Sequence, residues 1–248
     1  NSLEPALHTG QIHSALVEAV MTGRLSEERL DASVRRILTL KAAYGLFDLQ
    51  TEARSQETLN GVQVADEIGR LSITLARDSA GLLPLAAGAR LLVIAPDDGL
   101  RVYYQAALER TPLGLALGAA GFQVRELTYR ARSDDAQAEV YWQALSLAAQ
   151  YDAVLMGTWD AAIPTMGSSA WQQRLVPELL LRNPRLIGIA LRTPYDVELF
   201  PTVSTFLATY GGVPAQMQAL AAVLRGDEAP MGVFPVAVAL EATPEPSP

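Results

Sequence analysis

YDAVLMG, residues Tyr151–Gly157, is a short and almost continuous apolar run closed by a glycine. A strand of this composition has no polar face to turn to water, so it reads as buried on both sides, as in parallel sheets covered by helices. Arg90–Ala95 (RLLVIA) and Arg185–Leu191 (RLIGIAL) repeat the pattern, and Val203–Tyr210 reads as a fourth strand. Helical spacing fills the intervals. Arg101–Leu108 and Pro112–Ala120 read as helices, with Gly121 ending the second just before the run Phe122–Leu127. Asp135–Gln150 turns Val140, Ala144, Leu147 and Ala148 inward; Trp171–Leu181 follows, then Pro214–Leu224, closed by Gly226. Gly232–Val238 reads as a final edge strand. This alternation implies an α/β fold: a mostly parallel, doubly wound sheet sandwiched by helices, flavodoxin-like in arrangement.

Upstream, Thr22–Asp48 (TGRLSEERLDASVRRILTLKAAYGLFD) reads as one helix with clear ends. Gly23 can stop the preceding helix, Ser26 is a good N-cap, and Glu27 and Glu28 put negative charge where the helix dipole favours it. Leu30, Val34, Ile37, Lys41 and Tyr44 form one stripe, and Gly45 supplies a left-handed stop. Ile12–Met21 is a second helix before it. Leu49–Asn60 (LQTEARSQETLN) has no apolar period and reads as a linker, after which Gly61–Leu75 returns to helical spacing through Val64, Ile68 and Leu71. The expected organisation is helices over 1–48, a linker over 49–60, the α/β domain over 61–240 and a mobile Pro-rich tail, Glu241–Pro248.

The chain has 248 residues, half of them hydrophobic and 19% charged, with a net charge of −8. That composition suits a well-buried globular protein, and the acidic balance argues against a nucleic-acid partner. No stretch reaches the roughly 20 apolar residues that cross a bilayer. Cysteine is absent, which excludes disulfides, thiolate metal sites and a Cys nucleophile and leaves the compartment open. His8 and His13 are the only histidines and are five apart, not the i, i+4 pair that puts two ligands on one helix face, so they read as surface residues and no metal site is expected. The first residue is Asn rather than Met and no signal-like segment follows, as expected of a processed or trimmed product.

A doubly wound sheet binds ligands at the carboxyl ends of its strands. Two stretches reach that edge. In Ala190–Gly211 (ALRTPYDVELFPTVSTFLATYG), Thr193 caps a short helix opened by Pro194, and Arg192, Tyr195 and Asp196 fall where a site could form. The alternative is that Arg192 and Asp196 satisfy helix-start amides and loops. In Met156–Pro164 (MGTWDAAIP), Trp159 and Asp160 could stack on and hydrogen-bond a sugar ring, or serve as a lid over the core. Gly114, Gly118 and Gly121 follow a helical run rather than a strand, so they fail the context of a dinucleotide fingerprint, and a turn explains Asp97, Asp98 and Gly99. No cofactor is expected.

Four segments, in order, resemble family 3 glycoside hydrolases. GRLSEERLDASVRRILTLK leading into GLFD resembles the last helix of their catalytic barrel, and SITLARDSAGLLPL (Ser72–Leu85) resembles the start of their C-terminal domain. ALRTPYDVELFPTVSTFLATYG and the pattern from Pro214 to Val236 resemble that domain in bacterial β-N-acetylglucosaminidase-like members. The resemblance implies terminal helices of a (β/α)8 barrel over 1–48 followed by the C-terminal domain, in a bacterial protein either secreted, in the cell envelope or cytoplasmic. It implies a retaining enzyme that removes terminal β-linked N-acetylglucosamine from peptidoglycan or chitin fragments. The barrel is the implied partner, and carbohydrate reaches the chain through it. The family's Asp nucleophile, its Asp–His acid/base and its KHFPGHG-like motif belong to that barrel, and none occurs here. Glu178, Glu198 and Glu228 read as solvated surface rather than as the Glu acid/base of the β-glucosidase branch. No catalytic residue is therefore assigned; Trp159, Asp160, Arg192, Tyr195 and Asp196 are the candidate substrate-binding residues. The alternative is a non-catalytic scaffolding or carbohydrate-binding α/β module.

Overall fold

The computed structural model describes residues 4–47, 60–97, 110–130, 138–164 and 167–240. The expected helix Arg101–Leu108, the tail Glu241–Pro248 and residues 49–59 of the linker lie outside them. The chain divides into two compact units, Asn1–Leu59 and Asn60–Pro248.

The first unit contains α1 (Glu4–Met21) and α2 (Glu27–Ala43). The ends of α2 follow from its residues. The Ser26 hydroxyl accepts from the Arg29 amide at 3.2 Å, and Glu27 and Glu28 occupy the first turn. At the other end Gly45, at φ 67°, lets its own amide reach the Ala42 carbonyl and the Leu46 amide reach Lys41, a Schellman closure. No residue of α2 is buried, and Ile12, Leu16, Met21, Ile37 and Leu40 are all exposed.

In the second unit α3 (Gly61–Ser72) leads into a six-stranded sheet of β1 (Thr74–Asp78), β2 (Arg90–Pro96), β3 (Gln123–Tyr129), β4 (Ala153–Thr158), β5 (Leu186–Ala190) and β6 (Thr205–Ala208). The order is β1-β6-β5-β4-β2-β3, all pairings parallel except β1 with β6. Every residue of β4, β5 and β6 is buried, as their continuous apolar runs require. The remaining helices are α4 (Pro112–Ala119), α5 (Ala138–Leu147), α6 (Ser169–Arg182), the short α7 (Asp196–Leu199) and α8 (Pro214–Arg225). Helices α3 and α4 pack on α8, while α5 packs on α6. The approach of α3 to α8 requires Gly69, where a Cβ would lie 2.9 Å from the Ala215 carbonyl oxygen.

Three expectations are corrected. The short helix α7 begins at Asp196, with Tyr195 before it, rather than at Pro194 under a Thr193 cap. The helix from Gly61 stops at Ser72, because Ile73 turns extended and Thr74 pairs antiparallel with Ala208. Gly232–Val238 is not a strand. Its Gly232 amide reaches the Ile73 carbonyl at 2.8 Å, but Pro235 has no amide to offer a ladder and Val233 is exposed. The edge position expected for that segment is taken by β1.

Strand β2 lies between β3 and β4, so successive connections leave it in opposite directions. Doubly wound sheets bind ligands at such a switch point, here the carboxyl ends of β2 and β4, beside that of β5.

Candidate functional site at the carboxyl ends of β4 and β5

Trp159 and Asp160 follow β4 directly, and Arg192, Tyr195 and Asp196 lie in the segment after β5. Parallel pairing of Thr158 with Ala190 sets the two segments side by side. Arg192 joins them. Its Nη1 donates to Asp160 Oδ2 at 2.7 Å, and its guanidinium lies 5.4 Å from the centre of the Trp159 ring. The Asp160 side chain is only 3% exposed, whereas that of Arg192 is 48% exposed. Asp160 adopts φ 49°, a left-handed conformation that Asp tolerates better than most residues and that marks a locally constrained backbone.

Asp196 is fully buried and works on the same turn. Its Oδ1 accepts from the Ala162 amide at 2.9 Å, and its Oδ2 has no hydrogen-bond partner among the described residues. Burial pushes this carboxyl above its ordinary range, opposed by the amides of Ala162 and Ala161 and the Thr158 hydroxyl. Tyr195, one residue earlier, is exposed. The Trp159 ring is mostly covered, and its Nε1 likewise has no partner among the described residues.

Three residues that the sequence reading passed over hold this edge in place. Gln172 on α6 is wholly buried; its Oε1 accepts from the Trp159 amide at 2.9 Å and its Nε2 donates to the Trp159 carbonyl at 3.0 Å. Tyr129, the last residue of β3, donates its hydroxyl to the Gly157 carbonyl at 2.8 Å. Arg77 on β1 fixes the other segment, through Nε to the Val203 carbonyl at 2.8 Å and Nη2 to those of Val197 (3.0 Å) and Phe200 (2.7 Å). Gln172 had a signal in the sequence, since it occupies the same helical phase as the buried Leu175 and Leu179. Arg77 and Tyr129 had none, because their partners lie far along the chain.

The three glutamates have their own partners. Glu178 accepts from the Tyr141 hydroxyl at 2.7 Å, Glu198 from the Ala239 amide at 2.8 Å, and Glu228 pairs with Arg70 at 3.1 Å. Thr111 caps α4, accepting from the Gly114 amide at 3.3 Å, and Gly114 presents its backbone to the Glu126 carboxylate. Among the described residues no cluster of His, Asp or Glu could hold a metal ion, and no helix is long and apolar enough to cross a membrane. A groove of about 440 Å³ opens at the opposite edge of the sheet, between Arg90, Gln123, Arg125 and Tyr151. Arg90 is neutralised there by Asp152 at 2.8 Å, and none of the candidate residues lines the groove.

No family model matches the chain. It is 26% identical over 240 residues to a β-N-acetylglucosaminidase/β-glucosidase of Cellulomonas fimi, covering 88% of this chain and 40% of that protein. A lysosomal β-glucosidase of Dictyostelium discoideum is 34% identical over 120 residues, 41% of this chain and 15% of that one. Among solved structures, a glycoside hydrolase family 3 β-N-acetylglucosaminidase from a Paenibacillus species superposes with a TM-score of 0.68 at 32% identity, covering 92% of this chain and 42% of that one. A fungal multi-domain family 3 β-N-acetylglucosaminidase shares the fold, with a TM-score of 0.60 at 20% identity over 91% of this chain and 25% of its own. The chain thus spans about two-fifths of the length of the Cellulomonas and Paenibacillus relatives.

Proposed function

We propose that this chain, which carries the C-terminal α/β fold of glycoside hydrolase family 3, serves a retaining glycosidase that releases terminal β-linked N-acetylglucosamine from peptidoglycan or chitin fragments. In this reading α1 and α2 are the last helices of a (β/α)8 barrel that supplies the nucleophile and acid/base, and the apolar residues they expose are the face that barrel covers. The observation that carries the reading is the 32% identity to the Paenibacillus enzyme over 92% of this chain.

The geometry supports a division of labour. A retaining glycosidase needs two carboxyl groups about 5–5.5 Å apart and open to the sugar. Asp160 is closed by Arg192 and Asp196 is fully buried, so neither is offered to substrate. The chain alone is therefore expected not to hydrolyse glycosides. Arg192 and Tyr195, both exposed, are the residues proposed to face sugar, with Trp159, Asp160 and Asp196 holding them.

Incubating the purified chain with an aryl N-acetyl-β-glucosaminide tests the first point: release above a blank, abolished by Asp160→Asn, would overturn it. With the barrel-bearing protein, faster cleavage of the N-acetylglucosaminide than of the matching glucoside is expected, and the reverse preference would move the reading to a β-glucosidase. The rival reading, a domain that only supports the barrel, is favoured by the inward-directed hydrogen bonds of Asp160 and Asp196. Arg192→Ala in the barrel-bearing protein separates the two: a raised KM with kcat kept supports sugar contact, and unchanged kinetics support scaffolding.

A further inference from the structure

Of the three tryptophans, Trp159 and Trp171 are 9% and 7% exposed, but Trp142 on α5 is 66% exposed. A single exposed aliphatic residue needs no explanation. An indole in water is a larger matter, since an aromatic side chain buries about 150–250 Å² when it finds a partner. This one also has an aromatic neighbour. The Tyr141 ring meets Trp142 edge-on, with centroids 5.5 Å apart and planes at 79°. Tyr141 is fixed in turn, its hydroxyl donating to Glu178 Oε1 on α6 at 2.7 Å and its ring lying 6.3 Å from that of Trp171.

The surroundings are polar. Glu139 and Ser146 flank Trp142 one turn away in either direction on α5, and Gln143 Nε2 donates to Glu139 Oε1 at 3.0 Å. Across α5 and α6 the other large apolar side chain left exposed is Leu181, at the end of α6. One indole and one leucine fall well short of the roughly 800 Å² per partner that a stable protein–protein interface buries. An exposed aromatic face with carboxylate and amide groups nearby suits a pyranose ring instead, whose C–H face stacks on the π system while its hydroxyls meet the polar groups.

We propose that Trp142 is a stacking platform for a pyranose unit of a β-linked N-acetylglucosamine chain, separate from the cluster at the ends of β4 and β5. The choice of sugar rests on the function proposed above; the platform rests on α5 and α6. It would hold one unit of a glycan chain on α5.

Acrylamide quenching of tryptophan emission tests this with the full chain, because Trp142 is the indole most open to collision. Chitotriose at millimolar concentration is expected at least to halve the collisional quenching. Trp142→Ala should abolish the sugar-dependent part and Trp159→Phe should keep it; at two-thirds exposure, the alanine variant is expected to fold. Absence of shielding by chitotriose, equal shielding by glycerol, or shielding that survives Trp142→Ala would each overturn the platform. Shielding by cellotriose but not chitotriose would overturn the assigned sugar. Shielding that rises with protein concentration without sugar would assign the face to a second copy and overturn the proposal. None of these outcomes depends on hydrolysis, so failure here is distinct from failure of the proposed activity.

Discussion

Arg192 Nη1 lies 2.7 Å from Asp160 Oδ2, so a half-exposed guanidinium after β5 closes an almost wholly buried carboxylate after β4. This pair clasps the two segments at the carboxyl edge of the sheet, and it stacks the cation over Trp159 as it does so.

Arg192→Ala is expected to destabilise the α/β unit by about 1–2 kcal/mol, less than the loss of a fully buried pair because the arginine is half in water. The double variant with Asp160→Asn should recover part of that loss, since Asn tolerates the left-handed backbone and removes the stranded charge. Urea unfolding of the three proteins checks this; a double variant less stable than Arg192→Ala would contradict it.

Asp196 predicts a pH dependence. Burial raises its pKa above the ordinary 3.8, so the folded state binds the proton more tightly than the unfolded chain. The stability this contributes is fully present below the unfolded value and is lost as pH rises through the higher folded value. Asp196→Asn, which stays neutral, should therefore gain relative to wild type as pH rises from about 4 toward neutrality. A stability difference that stays flat over that range would refute it.

Gln172→Ala should cost more than Arg192→Ala, about 2–4 kcal/mol, because it strands the amide and the carbonyl of Trp159 in a dry interior. A red shift of Trp159 emission, read in a Trp142→Phe background, should accompany the loss. Unchanged emission would show that the loop after β4 is held without Gln172, by Ser169 and Gln173, which donate to the Ala161 carbonyl at 2.7 and 3.0 Å, and by Asp196.

Arg77→Lys keeps the charge but not the fork that reaches three carbonyls, and should cost about 1–2 kcal/mol. Its clearest trace is local: the amides of Val197, Glu198 and Val203, which close the turns around α7, should exchange hydrogen faster than in wild type. Equal exchange rates would assign Arg77 no part in ordering this segment.

The sheet was legible where chemistry is local. YDAVLMG and RLIGIAL could be little other than doubly buried strands, and Ser26 and Gly45 marked the ends of α2 through their own caps. Strand β1 was hidden because TLARD follows a helix whose apolar period runs on to Leu75, and only the distant β6 draws it into extended form. Gly232–Val238 misled in the opposite sense, with strand-like composition but a proline where an amide was needed. At the candidate site the residue types placed these side chains at the carboxyl edge of the sheet, and the alternative that Asp196 serves a neighbouring loop matches its bond to the Ala162 amide, but the closure of Asp160 by Arg192 was not legible. Nor could they reveal Arg77, whose carbonyl partners all lie more than a hundred residues away.

The pairing of β1 with β6 bears on how the protein is made. Asp78 lies opposite Thr205 and takes a hydrogen bond from its hydroxyl at 2.5 Å, so the first strand of this unit finds its place only beside the last. On a ribosome, β2 to β5 can assemble while β1 waits unpaired, its edge open to any extended neighbour. Closure comes when β6 emerges, and with it Arg77 reaches the carbonyls that order the segment after β5. The carboxyl edge of the sheet beside β5 is thus among the last parts of the unit to be completed during synthesis.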